Sequence, residues 1–417
     1  MDPALITQHL AALQQIADDN DGIRAAGTPG YDASADYVAQ VMTDLGFKVE
    51  RQPFDFPFFD EIDPPSLTVG DQTWTAPEWV HAALYSASGD VSGELEFVGV
   101  GGRTLGCDPS AWSSFTAGHI AVVESGFCFT RQKVEYAQAA GALAMISMVD
   151  RWEANQILRP TLLDPAGITI PVIVVGREPA HAGLNGKSAT VSVHGDNHTA
   201  TVDNIIATWP GETDDVVMLG GHLDSVLDGP GINDNGSGVA TLMSLAASVA
   251  GQQQPAQSIR FGFWSAEEFG DLGSAAYVNQ LASADRQQIS AYLNLDMVGS
   301  PNPARYVYDD AAAPAGSADI TQSLLDALTA LQAPGIALDM GAGSDHYNFE
   351  LAGIPIGGLF SGLSPMSPSE APIFGGTANA PEDPCYHLAC DTTPNVDLDN
   401  AALLGQAIAI VLGELAY

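Results

Sequence analysis

Apolar residues recur at helical spacing in two stretches near the start of the chain, residues 4–18 and 31–46. In the second stretch the apolar positions between 38 and 45 lie on one face, and Gly46 ends the pattern. Residues 47–59 then alternate between polar and apolar and are rich in aromatic side chains. The pattern therefore predicts two helices followed by a strand with an adjoining loop.

Between residues 67 and 193 the pattern changes to short β-like runs. These runs cover residues 95–98, 120–123, 144–148 and 170–175, with one helix predicted at 133–141. The histidines of this region and its border are scattered, and we expect each to be a surface or packed side chain: His81, His119, His181 and His194. We predict a separate, β-rich inserted domain at residues 75–192.

From residue 203 onward, strand-like and helix-like segments alternate. Strands are predicted at 204–209, 216–219, 259–264, 291–295, 306–308 and 354–360, and helices at 237–250, 271–281, 317–332 and 397–415. Strands that alternate with helices favour an α/β fold, in which a mainly parallel sheet is flanked by helices on both faces. We assign residues 1–70 and 196–417 to this discontinuous domain.

The composition fits a folded protein with one large or two smaller domains, because the chain has 417 residues and 46% are hydrophobic. No uninterrupted apolar run is long enough to cross a membrane. The first residues, MDPALITQHL, contain no basic segment and no long apolar stretch. Two alternatives follow: the protein is cytosolic, or the numbering is that of a mature protein from which a signal peptide has been removed.

The formal net charge of −38 and the pI near 4.1 are extreme. Lysine supplies 3 of the 13 basic residues, whereas aspartate supplies 35 of the 51 acidic ones. Such a surface repels nucleic acid and anionic membranes, so we predict neither as a partner. Adaptation to high salt and an ordinary acidic secreted protein remain equally good explanations.

Four cysteines form two pairs that are local in sequence, Cys107 with Cys128 and Cys385 with Cys390. Buried free thiols would be one explanation, and three pairings are formally open. The even number and the absence of a CxxC motif favour two local disulfides. Disulfides indicate an oxidising compartment, so we predict a secreted protein, extracellular or periplasmic.

Residues 216–238, VVMLGGHLDSVLDGPGINDNGSG, carry the first candidate chemistry. An apolar strand breaks at two glycines, presents His222, Asp224 and Asp234, and continues into an apolar helix. In open α/β sheets ligands gather at the carboxyl ends of strands. A histidine and carboxylates at that position indicate a metal site, although a polar turn would show the same pattern.

Four more pieces place carboxylates or histidines after predicted strands. They are FWSAEEFG with Glu267 and Glu268, NLDMVGS with Asp296, GSDHYNF with Asp345 and His346, and DPCYHLACDT with Tyr386, His387 and Asp391. Carboxylates that converge at one sheet edge repel one another, and a pair of divalent cations removes that repulsion. Imidazole and carboxylate ligands suit zinc.

The motifs GGHLDS, GINDNGSG, SAEEFG, NLDMVGS and DPCYHLACDT, in this order, resemble the zinc aminopeptidases of the aminopeptidase Y family. The similarity is greatest to secreted bacterial leucine-type enzymes, and it covers about residues 1–60 and 198–417. The inserted region resembles a protease-associated domain. The resemblance implies the zinc exopeptidase fold, of the phosphorylase/hydrolase-like class, and two Zn²⁺ per chain; a structural Ca²⁺ is not predicted.

The resemblance also implies the metal ligands. His222 and Asp296 would bind one zinc, and Glu268 and His387 the other. Asp234 would bridge both, with a cis peptide after it.

Around these ligands the resemblance assigns three supporting roles. Asp224 would orient His222, Glu267 would be the general base, and Tyr386 would donate a hydrogen bond to the tetrahedral oxyanion. The same pattern supports a disulfide between residues 385 and 390.

For the substrate, the resemblance implies an apolar pocket lined by Met297, Tyr308 and Phe360, for which core packing is an equally good explanation. One departure is Gly343, which stands where close relatives have arginine before Ser-Asp-His. Its carbonyl would still help hold the substrate amine, but the side chain that steadies the loop is missing. We expect Asp345 and His346 to have structural roles.

The predicted activity is hydrolysis of the N-terminal, apolar residue from peptides with a free N-terminus, by a monomer. A carboxypeptidase-like relative is one alternative, but it needs cations that hold a carboxylate. After residue 200 the chain has only Arg260, Arg286 and Arg305, and none lies in a ligand motif. A receptor-type binding protein without metal is the other, and the complete ligand set argues against it.

Overall fold

The structure is a computed structural model that describes residues 1–102, 104–149, 157–176, 179 and 185–417. The chain forms two compact units: the first comprises Met1–Phe56 and Thr201–Tyr417, and the second comprises Pro57–Ala200. Residues 57–70 and 196–200, which the sequence assigned to the first domain, fall in the second unit. The predicted borders of 1–70, 75–192 and 196–417 stay a prediction about the folding domains. His181 lies outside the described residues.

The described helices are α1 (Pro3–Asp18), α2 (Pro29–Asp44), α3 (Thr130–Ala139), α4 (Gly236–Ala250), α5 (Leu272–Gln280), α6 (Ser283–Gln288), α7 (Ser317–Ala330), α8 (His346–Leu351), α9 (Ala371–Phe374) and α10 (Leu398–Ala416). The described strands are β1 (Lys48–Val69), β2 (Gln72–Thr75), β3 (Val80–Ala82), β4 (Gly89–Phe97), β5 (Ile120–Glu124), β6 (Ala144–Met148), β7 (Val172–Val175), β8 (Ser188–Trp209), β9 (Val216–His222), β10 (Ser258–Trp264), β11 (Ile289–Leu295), β12 (Tyr306–Tyr308), β13 (Ile336–Leu338) and β14 (Ile356–Phe360).

The sheet of the first unit has the strand order β13-β12-β14-β11-β9-β10-β8. Its centre is parallel, since β9 pairs in parallel with both β10 and β11, and β11 with β14. The second half of β8 is antiparallel to β10, and β12 is antiparallel to β14. The predicted fold class, a mainly parallel sheet flanked by helices, is confirmed.

Burial explains why the central strands read as continuous apolar runs. All seven residues of β9 are buried, as expected for a strand that is covered on both faces. On the helical side, α4 is buried over most of its length and packs against β9, α1 and α10. The aromatic rings of Trp264, Tyr292 and Phe349 form a second packed cluster, in which Tyr292 and Phe349 stack at 3.7 Å.

The last helix, α10, is long and apolar enough to cross a membrane by length and composition alone, with a mean hydropathy of 1.4. Half of that segment is buried inside the protein, and its contacts are with α7, α4 and α1. These contacts account for its apolar residues as part of a core, because an α-helix with a buried face needs the same composition.

The second unit has its own sheet, in which the first half of β8 pairs with β4 and the order continues β5-β6-β7-β3. Strands β4, β5, β6 and β7 run parallel to one another, whereas β8 is antiparallel to β4 and β3 is antiparallel to β7. Lys133 of α3 is buried and donates to the carbonyls of Glu124 and Gly126. These bonds connect α3 to the end of β5.

The largest differences from the predicted elements concern β1 and β8, which are 22 residues long each. The sequence predicted only their more apolar portions, 47–59 and 204–209. The remainder of each strand alternates with many exposed polar side chains, so its hydrophobic signal is weak. The short elements α6, α8, α9, β2, β3 and β13 are too brief to show a period and were not predicted.

Candidate active site

The candidate site lies at the carboxyl ends of three neighbouring strands. In the parallel register His222, the last residue of β9, pairs with Trp264, the last residue of β10. Glu267 and Glu268 follow β10, and Asp296 follows β11. The glycines before His222 allow this close approach, because a Cβ on Gly221 would lie 2.4 Å from the carbonyl oxygen of Leu295.

Five side chains form two donor groups that share one carboxylate. In the inner donor group, Nε2 of His222 lies 3.2 Å from Asp234 Oδ1 and 3.3 Å from Asp296 Oδ1. In the outer donor group, Nε2 of His387 lies 3.1 Å from Asp234 Oδ2 and 3.1 Å from Glu268 Oε2. Each oxygen of Asp234 therefore faces a different histidine, which is the arrangement required of a bridging ligand.

The spacing of the donors fits two zinc ions. Two ligand atoms that bind zinc tetrahedrally at about 2.1 Å lie roughly 3.4 Å apart, close to the four distances above. Oε1 of Glu268 is buried, and no described residue forms a hydrogen bond with it. A buried carboxylate oxygen without a partner is costly, and a bound cation would satisfy it.

Hydrogen bonds to the residues directly before and after Asp234 fix the position of its backbone. Asp391 accepts hydrogen bonds from the backbone amides of Asn233 and Asp234, at 2.8 and 3.0 Å. The peptide bond between Asp234 and Asn235 is cis, as the resemblance implied. The Asn235 side chain donates to the Leu295 carbonyl and accepts from the Gly238 amide at the start of α4.

Asp224 contacts the glutamate pair rather than His222 alone. Its two carboxylate oxygens accept from the backbone amides of Glu267 and Glu268, at 3.2 and 3.4 Å. Nδ1 of His222 lies 3.1 Å from the backbone carbonyl of Asp224 and 3.7 Å from its carboxylate. The carbonyl is therefore the nearer partner, and it leaves Nε2 directed toward the carboxylates.

The outer donor group includes a residue on a loop closed by a disulfide. Cys385 and Cys390 are bonded, and Tyr386 and His387 lie between them. The rings of Tyr386 and His387 stack at 3.8 Å between centroids. Cys107 and Cys128 are also bonded, so both predicted local pairings are confirmed.

The electrostatics of these side chains fit the binding of a cation. Burial raises the pKa of Glu268 to about 7 and raises that of Glu267 well above its ordinary value. Burial alone would lower the pKa of His387, but the charges of Glu268 and Asp234 outweigh it and raise the pKa to about 10. Protons thus neutralise part of the negative charge, and a metal ion would replace them.

The three residues predicted to line an apolar pocket lie in one cluster. Met297, Tyr308 and Phe360 are each less than a tenth exposed and pack together with other apolar side chains. The ring of Tyr386 packs against the same cluster. This cluster borders the donor groups, because Met297 directly follows Asp296.

Gly343 lies in an exposed turn, where a Cβ would meet the Met340 carbonyl oxygen at 2.9 Å. A side chain at this position would require the turn to shift. Asp345 and His346 follow it and are buried, and Nε2 of His346 lies 3.0 Å from the Gly341 carbonyl. The His346 ring packs edge-on against Tyr308 at 4.6 Å.

Two groups of residues around the site were not singled out from the sequence. Arg24 is buried and bonds the loop between His222 and Asp234. Asn233 and Asn395 bind Asp383 and Asp391 on either side of the disulfide loop. Residues 1–60, which include Arg24, share the resemblance described above but contain no ligand motif, and single asparagines give no signal of their own.

Comparison with protein families gives two matches along the chain. The model of "Peptidase family M28" matches residues 204–412, and the model of "PA domain" matches residues 91–183. The first match covers the described donors from His222 to His387, and the second lies within the second unit.

Individual relatives match almost the whole chain. An "Aminopeptidase" of Pseudomonas aeruginosa is 36% identical over 434 residues, which cover 99% of this chain and 80% of the relative. The "Probable lipoprotein aminopeptidase LpqL" of Mycobacterium tuberculosis is also 36% identical, with 98% and 84% covered. Among solved structures, "BSAP, a zinc aminopeptidase from Bacillus subtilis" is 25% identical with a TM-score of 0.77, covering 99% of this chain and 95% of that one.

Proposed function

The chain belongs to peptidase family M28 and carries an inserted PA domain, and on that basis we propose that it is a two-zinc aminopeptidase acting on apolar N-terminal residues. The coarser statement, a zinc-dependent metallo-aminopeptidase, follows from the family and from relatives that span the chain. The observation that carries the finer proposal is the pair of donor groups that share Asp234.

In this proposal His222, Asp296 and Asp234 would hold one zinc, and Glu268, His387 and Asp234 would hold the other. The pair of ions, when bound, supplies Lewis acidity for the scissile carbonyl and lowers the pKa of a bound water. Support comes from the distances between the donor atoms and from the buried Glu268 oxygen without a hydrogen-bond partner.

Glu267 is the proposed general base, because it is the carboxylate of the cluster that neither donor group requires. Its carboxylate oxygen Oε2 lies 3.9 Å from Nε2 of His222, beside the inner donor group. It accepts a proton from the attacking water and returns it to the leaving amine. Asp224 fixes the backbone of Glu267 and Glu268, so the base and the ligand keep their relative positions.

Tyr386 is proposed to donate a hydrogen bond to the oxyanion of the tetrahedral intermediate. Its ring is stacked on His387 and packed against the apolar cluster, so the hydroxyl has a defined position. The cluster of Met297, Tyr308 and Phe360 is the proposed contact for the N-terminal side chain of the substrate. The carbonyl of Gly343 is proposed to accept from the substrate amine.

A carboxypeptidase is less well supported, because the arginines of the first unit are engaged elsewhere. Arg24, Arg286 and Arg305 donate to backbone carbonyls, and Arg51 pairs with carboxylates of this chain. Arg260 donates to the hydroxyls of Thr208 and Tyr277, within a cavity of about 530 Å³ that none of the predicted site residues line. None of these groups is placed to hold a substrate carboxylate beside the donor groups.

An extracellular or cell-envelope location agrees with the two disulfides and with a relative whose name describes a lipoprotein. We propose secretion, a peptide substrate and a monomeric enzyme. We further propose that the PA domain affects which peptides reach the site, since none of the described donor atoms comes from residues 75–192.

The test is hydrolysis of aminoacyl-nitroanilides with aliphatic, aromatic, acidic and basic side chains, together with N-acetylated versions. The proposal predicts cleavage of leucine and phenylalanine derivatives, no cleavage of blocked ones, two zinc ions per chain, and loss of activity after chelation. Cleavage of acetylated substrates, or full activity in a protein free of metal, would contradict it.

A further inference from the structure

Arg24 lies between α1 and α2, about two hundred residues from every group that it bonds. Its side chain is fully buried and donates to three backbone carbonyls. Nε bonds Pro230 at 2.9 Å, Nη1 bonds Leu223 at 2.5 Å, and Nη2 bonds Gly231 at 2.6 Å. The backbone adds two contacts with Ser225, one in each direction.

All of these acceptors lie in the segment 223–231, which we call the ligand loop. It begins directly after His222 and ends three residues before Asp234. It also contains Asp224, which holds the amides of Glu267 and Glu268. The conformation of the ligand loop therefore determines the separation of His222 and Asp234, and it reaches the glutamate pair through Asp224.

The location is unusual for a guanidinium, because burial of an unpaired cation is costly. Burial lowers the pKa of Arg24 to about 10, while the charges of Asp224, Asp391 and Asp234 oppose that change. The positive charge therefore lies beneath the carboxylates of the site and reduces their mutual repulsion. The planar guanidinium fork can reach three acceptors at once, which a lysine ammonium on a flexible stem cannot match in geometry.

We propose that Arg24 is a positioning residue for the metal centre: its side chain holds the ligand loop so that both donor groups are assembled before zinc binds. This inference rests on the proposed two-zinc function. It assigns to Arg24 no contact with metal or substrate, and it acts through the backbone of residues 223, 230 and 231.

The test compares Arg24→Met and Arg24→Lys with the same two changes at Arg305. Arg305 is a matched control, because it is buried in the same unit and also donates to three carbonyls, those of Pro334, Ile373 and Phe374. None of those acceptors lies in the ligand loop. The zinc dissociation constants are measured by competition with a chromogenic chelator, on protein whose fold is checked by circular dichroism.

We expect Arg24→Met to weaken zinc binding by about 10–100-fold, the usual effect of removing a group that orients ligands. Arg24→Lys should recover part of the loss, and the Arg305 variants should bind zinc within twofold of wild type. Folded Arg24 variants with wild-type zinc affinity would overturn the inference. An equal loss in the Arg305 variants would also overturn it, because the effect would then be general.

A second measurement needs no variant and decides the matter if the Arg24 variants do not fold. In wild-type protein stripped of metal, hydrogen exchange of the amides in 223–231 should stay slow and change less than tenfold when zinc is added. Rapid exchange that zinc suppresses would overturn the inference. If wild-type protein binds no zinc at all, the proposed function itself fails, so the two failures are distinguishable.

Discussion

The inner and outer donor groups contain the same kinds of atom but are built differently. The two side chains that only the inner group contains are those of His222, at the end of a central strand, and Asp296, directly after another, and the His222 side chain is 1% exposed. In the outer group Glu268 follows a strand, whereas His387 lies on a disulfide-closed loop and is 19% exposed. One half of the site is thus fixed by the sheet, and the other half partly by a covalent link.

This difference bears on the order in which metals leave. Strand ends in a buried parallel sheet open only with large-scale unfolding, whereas surface loops open locally. We therefore expect the zinc in the outer group to exchange faster than the zinc in the inner group. Substitutions of the donor residues, removal of the disulfide and added salt should each affect the two donor groups differently.

The largest effect is expected for Asp234→Ala, which removes the ligand common to both groups. Both zinc ions should be lost more readily than in His222→Ala, and activity should fall below detection because neither ion keeps its full set of ligands. Metal content by elemental analysis and nitroanilide turnover provide the measurement. Retention of one firmly bound zinc in Asp234→Ala would show that the carboxylate does not bridge.

The adjacent glutamates should separate the chemistry from the metal sites. Glu267→Gln preserves size but removes the base, so turnover should fall by about 10²–10⁴ while both zinc ions remain. Glu268→Gln should instead lower occupancy of the outer group alone. Metal content and kcat are measured on both variants. If Glu267→Gln turns over at nearly the wild-type rate with metal intact, the base lies elsewhere, and Asp345 is the next candidate.

The disulfide should matter for the outer group only. Closing a loop this short lowers the conformational entropy of the open loop and so raises its free energy by about 2 kcal/mol. That difference corresponds to roughly 30-fold in an equilibrium constant. Replacing both Cys385 and Cys390 by serine should weaken the outer zinc by up to that factor and leave the inner zinc unchanged. The matched control replaces Cys107 and Cys128, which lie in the second unit. Equal losses in both variants would argue against a local effect.

The smallest effect is expected from salt, which should distinguish the surface from the buried site. The net charge of −38 implies self-repulsion that mobile ions screen beyond about 8–10 Å at moderate ionic strength. The melting temperature should therefore rise by a few degrees in molar NaCl, while zinc affinity of the inner group changes little. A melting temperature that stays flat or falls would contradict the predicted self-repulsion.

Sequence patterns predicted the part of the fold that is apolar and regular. The strand that ends at Trp264 was predicted to its last residue, because a continuous buried strand gives a strong signal. The strand that ends at His222 was predicted only to residue 219, because its two glycines interrupt the apolar run. The polar half of β8 was missed, since exposed alternating residues resemble a loop as much as a strand. Propensity is a weak guide wherever burial does not enforce a pattern.

The same limit applies to the candidate site. His222, Asp234, Glu268, Asp296 and His387 were each predicted within a motif, and the structure brings their donor atoms together in two groups, within 4.8 Å of one another in each. Their roles as ligands stay a prediction. The contribution of Arg24 was not predicted, because its partners are backbone carbonyls, which have no sequence signature. The hydrogen bond from the Asp234 amide to the Asp391 carboxylate was not predicted for the same reason, since it also involves the backbone.

The large sequence separation of the donor residues affects when the site can form as the chain folds. His387 is 165 residues beyond His222, and Arg24 bonds a loop about 200 residues away. Contacts between such distant segments form late, because long loops must close first. The hydrolytic centre therefore comes into existence only after most of the polypeptide has been synthesised and folded.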